Sequence, residues 1–233
     1  MIPLRDTTKS ARFPFVNLTL IALNILVFLF EISLGDKMNA FIYHFGLIPA
    51  DVFSTSAGIG LAERITPFFS SMFIHGGWLH IIGNVLFLYI FGDNVESLMC
   101  HFKYLLFYLI CGFLAALFHI ISNVGSPVPM VGASGAISGV LGAYITFYPK
   151  SRILTLVPIF FFIQLIHIPA AVFIFVWFII QFISGVGTLG AASESGGVAF
   201  WAHIGGFVAG LILARFFDDK KFRVAEERRT YYH

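Results

Sequence analysis

The sequence predicts an all-α polytopic membrane protein, on three observations: of its 233 residues 58% are hydrophobic, only 11% are charged, and those charges are bunched. Soluble domains average roughly 45–50% apolar and about 25% charged residues, so a soluble globule is excluded. The bunching leaves uncharged windows at 13–30, 65–92, 104–149, 153–193 and 195–214. A spanning helix takes about 20 mainly apolar residues, so every window holds at least one span and the two longest can hold a pair. Strand alternation is absent, 29 Phe are spread through continuous apolar runs, and lipid does not tolerate an open sheet edge, so a β-barrel is not expected. A net charge of +2 gives no reason to expect nucleic acid as a partner. Two cysteines, Cys100 and Cys111, are too few for a disulfide framework and are expected to be reduced and structural.

The first apolar segment lacks a small-residue cleavage pattern and is too long for a typical signal h-region, so it reads as a retained first span. Parity fixes the rest. Lys and Arg collect on cytoplasmic segments, and both ends are basic: Arg5, Lys9 and Arg12 before the first span, and Arg215, Lys220, Lys221, Arg223, Arg228 and Arg229 after the last. Both termini are therefore expected inside, with an even number of spans, near 13–33, 73–97, 103–122, 131–149, 169–185 and 199–217. Lys103, Lys150 and Arg152 then also lie inside, and only Lys37 and Arg64 lie outside. The corresponding division is a cytoplasmic segment 1–12, a six-helix membrane domain 13–217 and a basic cytoplasmic tail 218–233. Pro158 and Pro169 bracket a segment, Ile159 to Ile168, that suits an interfacial stretch better than a straight span. The outside loop 35–64 mixes Phe41, Tyr43, Phe45 and Phe53 with polar residues, as a segment lying partly among headgroups would.

Polar groups inside a membrane are costly and mark candidate sites. HGGWLHIIGN (75–84) carries His75, His80 and Asn84, the last two on one helical face; VGASGAISG (131–139) carries Ser134 and Ser138 among glycines; WAHIGGFVAG (201–210) carries His203. With six spans, the second, fourth and sixth all run from outside to inside. Ser134 precedes Lys150, and His80 precedes Glu96, by 16 residues, a helical rise of about 24 Å in a hydrocarbon core of about 30 Å. His203 lies at a similar distance before the basic end of its span, so the three clusters share the outer half of the membrane. Gly132, Gly135, Ala136, Gly139 and Ala143 in one span, and Ala202, Gly206 and Gly210 in another, have the small-residue spacing that lets backbones approach closely in lipid. Such a contact sets Ser134 beside His203. A serine becomes a useful nucleophile when a histidine takes its proton, and the oxyanion then needs fixed donors: His80, the Asn84 amide and the Ser134 N–H are available.

At these residues the sequence resembles the rhomboid family of intramembrane serine proteases. H75-x4-H80-x3-N84, G132-A-S134-G135 and A202-H203-I-G-G206 carry the resemblance in the family's order, and 79–96 and 152–162 look like its bacterial subgroup. The resemblance implies a six-helix bundle in the cell membrane, with its site opening to the extracytoplasmic side. It also implies a Ser134–His203 dyad without a third acidic member and an oxyanion site using His80 and Asn84. The implied activity is cleavage of single-pass or polytopic membrane proteins in or beside their transmembrane helices, with no cofactor or metal. The fifth span and the loop before the sixth would act as gate and cap. Family members often carry an aromatic residue four positions after the nucleophile, whereas this chain has Ser138, so support for His203 must come from elsewhere. The family's outer-loop Trp-Arg pair appears here only as Arg64, after Glu63.

His75 and Gly132 are expected in supporting roles, and His75 reads equally well as a structural residue. Gln164 and Gln181 read as packing or interfacial residues, and 185–197 reads as a flexible connector or cap. A zinc site from His75, His80 and His203 is not expected, because no HExxH, carboxylate or thiolate accompanies them. The rival to an active protease is a catalytically inactive rhomboid-like protein that binds transmembrane helices. Oligomeric state is not readable from the sequence.

Overall fold

The computed structural model describes residues 1–54, 60–159, 162–188 and 199–219. A short strand, β1 (Ile2–Asp6), leads into helix α1 (Phe15–Ser33). Four short helices follow: α2 (Met38–Phe45), α3 (Pro49–Val52), α4 (Leu61–Ile65) and α5 (Pro67–Ser70). Then come α6 (Trp78–Met99), α7 (His101–Ser122) and α8 (Ser134–Phe147), the hairpin β2 (Arg152–Ile159) and β3 (Phe162–Pro169), and finally α9 (Ala170–Thr188) and α10 (Phe200–Phe217). Among the described residues, five helices are long and apolar enough to cross a membrane: α1, α6, α7, α9 and α10. The remaining expected span, 131–149, is a helix of 14 residues, about 21 Å long and shorter than a bilayer core of about 30 Å.

The short helix is the centre of the bundle. Residues 135–144 of α8 are all buried, as expected of a helix apolar on every side, and α10 is its most extensively packed neighbour. Lipid tails are as apolar as leucine, so helix association here relies on close backbone packing and hydrogen bonds. The glycines supply that closeness: a Cβ on Gly206 would overlap the Gly135 carbonyl, one on Gly210 the Gly139 carbonyl, and one on Gly142 would come within 2.5 Å of Phe207 O.

The hydrogen bonds concentrate where α1 begins. Glu96 of α6 is fully buried and accepts the N–H groups of Val16 (2.9 Å) and Asn17 (2.7 Å), two first-turn donors that have no partner within α1. Asn17 in turn donates to Leu88 O and accepts the Tyr104 hydroxyl at 2.8 Å, joining α1, α6 and α7.

The all-α expectation needs correction. β1, β2 and β3 form a three-stranded antiparallel sheet in that order, with Ile2 opposite Leu156 and Ile153 opposite Ile168. The segment expected as an interfacial stretch is thus mostly the second strand of a hairpin. Its β-branched residues (Ile153, Thr155, Val157, Ile163, Ile166 and Ile168) favour strands, and the ladder pairs the facing backbone groups of the three strands. The alternation is hard to see because both faces are apolar. The sheet is held to the helices by the Asp6 carboxyl, which accepts the Tyr144 hydroxyl and the Asn94 amide. Burial pushes that carboxyl above its ordinary pKa, although the Tyr144 bond works against the shift. Of the proposed cap, 185–197, residues 189–197 lie outside the described residues, as does the basic tail beyond Asp219.

Candidate active site

Ser134 is the first residue of α8, which begins only after an irregular segment, 123–133. That start has two consequences. The hydroxyl sits at a helix N-terminus, and the first-turn N–H groups have no intrahelical acceptor, so they are available to a developing negative charge. Gly132 permits the approach: its φ is +119°, and a Cβ there would lie 2.5 Å from His80 Nε2.

His203, 6% exposed on α10, faces Ser134 across the glycine contact, with Nε2 2.7 Å from Ser134 Oγ. Its other ring nitrogen, Nδ1, lies 2.6 Å from Gln181 Oε1 on α9. A carbonyl oxygen can only accept, so Nδ1 carries the hydrogen and Nε2 is left basic toward the serine. Trp177, one turn before Gln181, has its ring 6.0 Å from that of His203 at 34°. Gln181, expected to be a packing or interfacial residue, is therefore the partner that the absent aromatic at 138 left unassigned. Ser138 itself donates to Ser134 O at 2.6 Å, a local helix bond. The signal for Gln181 was W177-x3-Q181, two polar-tipped residues on one face of the fifth expected span.

Opposite the hydroxyl, His80 and Asn84 approach Gly132 from α6; a Cβ at Gly132 would stand 3.5 Å from Asn84 Nδ2. Asn84 Nδ2 lies 2.9 Å from His75 Nε2, and His75 Nδ1 lies 3.2 Å from Phe73 O. With Nδ1–H donating to that carbonyl, His75 Nε2 accepts one amide hydrogen of Asn84 and orients the amide. The His75 backbone N–H points at both Glu31 oxygens, 3.3 and 3.2 Å away. Glu31, fully buried at the end of α1, leaves little mark in the sequence, because a carboxylate at the edge of an apolar window reads as a span terminus and its partner is a backbone group. The structure thus brings all six predicted residues, Ser134, His203, His80, Asn84, His75 and Gly132, into one neighbourhood. No cluster of metal-ligating side chains occurs among the described residues.

A small cavity of about 10 Å³ lies beside Ser134, lined in part by Ser71, Gly132, Ala199 and Ala202. The Ser71 hydroxyl is buried there with no hydrogen-bond partner among the described residues.

Comparison with known proteins matches residues 62–219 to a family model described as the Rhomboid domain. The chain belongs to the rhomboid family. Two similar proteins carry the family's name: "Rhomboid protease AarA" of Providencia stuartii, 31% identical over 148 residues (58% of this chain, 51% of that one), and "Rhomboid protease GluP" of Bacillus subtilis (strain 168), 36% identical over 124 residues (53% of this chain, 22% of that one). The matched region spans about half of the first relative's length and about a fifth of the second's. Family membership and the five long apolar helices make this rhomboid an integral, multi-pass membrane protein.

Proposed function

We propose that this rhomboid is an intramembrane serine endopeptidase that cleaves transmembrane segments of other membrane proteins. The observation that carries the reading is the 2.7 Å approach of His203 Nε2 to Ser134 Oγ, with His203 Nδ1 directed to Gln181. In the proposed reaction His203 takes the Ser134 proton as Oγ attacks the peptide carbonyl carbon. The oxyanion is held by the Ser134 N–H and by the side chains of Asn84 and His80. His203 passes the proton to the departing amine, the peptide bond breaks, and an acyl ester remains on Ser134. Water, deprotonated by His203, then releases the acid. A helical substrate must unwind locally to offer its carbonyl, so small and helix-weakening residues near the cut are favoured.

The proposed topology has α8 as the fourth of six membrane helices, both termini cytoplasmic and the site open to the extracytoplasmic side. It is supported by the charge distribution and by the start of α8 at Ser134, well short of the length a full span needs. The proposed division remains segment 1–12, membrane domain 13–217 and tail 218–233. In reconstituted vesicles containing a single-pass substrate with a Gly- and Ala-rich transmembrane segment, the wild type should cleave it. Ser134→Ala should lower the rate by at least about 10³-fold while still binding the segment. Binding without cleavage by the wild type would instead favour the catalytically inactive rhomboid-like reading.

A further inference from the structure

We propose that the β2–β3 hairpin is a membrane-docking element: its apolar outer strand lies in the interface of the leaflet where α8 ends and α9 begins, and a collar of cations at its base engages anionic headgroups. The proposal rests on membrane residence and is independent of the peptidase reading.

Position is the first support. Pro169 ends β3 and Ala170 begins α9, a helix long and apolar enough to span, so the base of β3 is covalently fixed at a membrane boundary. Composition is the second. Between Arg152 and Ala170 there is no charged residue, and β3 is exposed on both of its faces, with Phe162, Ile163 and Leu165 73%, 71% and 61% exposed. An apolar strand bare on both sides is poorly suited to water. It is equally unsuited to the hydrocarbon centre, because β3 is the edge of the sheet and its outward backbone groups have no partner in the ladder. The headgroup–acyl boundary meets both demands, accepting apolar side chains to a depth of about 5–10 Å while hydrating backbone polar groups.

Charge is the third and independent support. The sheet register sets Arg5 opposite Leu154, and Thr7 N donates to Arg152 O, so the N-terminal segment brings its cations to the hairpin base beside Lys150 and Arg152. Arg5, Lys9, Lys150 and Arg152 are all exposed, and among the described residues none has a carboxylate within salt-bridge distance. Cations beside an apolar surface select an anionic bilayer surface.

The test uses the full chain with Ile163→Cys carrying an environment-sensitive nitrobenzoxadiazole label, in a Cys100→Ser, Cys111→Ala background, reconstituted in phosphatidylcholine vesicles with and without phosphatidylglycerol. Brominated lipid should quench the label strongly and aqueous iodide weakly. Brominated phosphatidylglycerol should quench more than brominated phosphatidylcholine. The double variant Lys150→Gln, Arg152→Gln should lose that preference, by up to roughly fivefold per cation at low salt. Quenching by iodide rather than by lipid would overturn the proposal. Equal quenching by the two brominated lipids, or a label shielded from both lipid and iodide and self-quenched by a second copy, would overturn it as well.

Discussion

The bundle carries buried polar side chains at both ends, and the two sets differ in how completely they are paired. Around Glu96, the carboxylate takes the free N–H groups of α1 and meets the His101 ring, while Asn17 bonds Leu88 O and the Tyr104 hydroxyl, and three helices are tied by the result. Around Ser134 the pairing is directed but incomplete. The hydroxyl has one imidazole partner, Asn84 has one amide hydrogen engaged by His75, and the His80 ring makes no hydrogen bond to another described residue. A densely paired network rigidifies. An incompletely paired one at a helix N-terminus beside a small cavity keeps donors in reserve, and the proposed chemistry needs such reserve when charge appears on a substrate oxygen.

Perturbing each end separately sharpens this contrast. The largest effect on folding is expected at the Glu96 end. Glu96→Ala strands two α1 N–H groups and should cost about 3 kcal/mol in equilibrium unfolding measured in detergent, while the rate per folded molecule changes little. At the other end, Asn84→Ala should lower the cleavage rate about 10²-fold with only a small loss of stability, which kcat and a thermal melt of the same sample would separate. A loss of stability at Asn84 as large as that at Glu96 would erase the distinction between the two ends. The smallest effect is expected at Gln181. Gln181→Ala should lower the rate about tenfold by freeing the His203 ring to take the wrong tautomer, and Gln181→Glu should restore most of it, because a carboxylate still accepts from Nδ1–H.

Much of this site was legible from the sequence because its parts are short motifs of unusual composition. HGGWLHIIGN, GASG and AHIGG stand out against apolar runs, and the glycine spacing forecast the contact in which Gly135 and Gly139 meet Gly206 and Gly210. Two features were not legible and a third, Gln181, was marked only faintly, each for a physical reason. Glu31 acts on the backbone N–H of His75, and backbone partners leave no mark in a sequence. Gln181 reaches His203 from a different helix, so no periodicity links the two. The hairpin's strands are apolar on both faces, which hides the two-residue period that normally reveals a strand.

Activation of Ser134 by His203 underlies the proposed chemistry. Intact-mass analysis and peptide mapping after reaction with a fluorophosphonate, in lipid vesicles, tests it most directly. A single adduct is expected on Ser134 of the wild type, absent from Ser134→Ala and strongly slowed in His203→Ala. A folded wild type that takes up no label, or that is labelled at Ser134 as fast without His203 as with it, would contradict it.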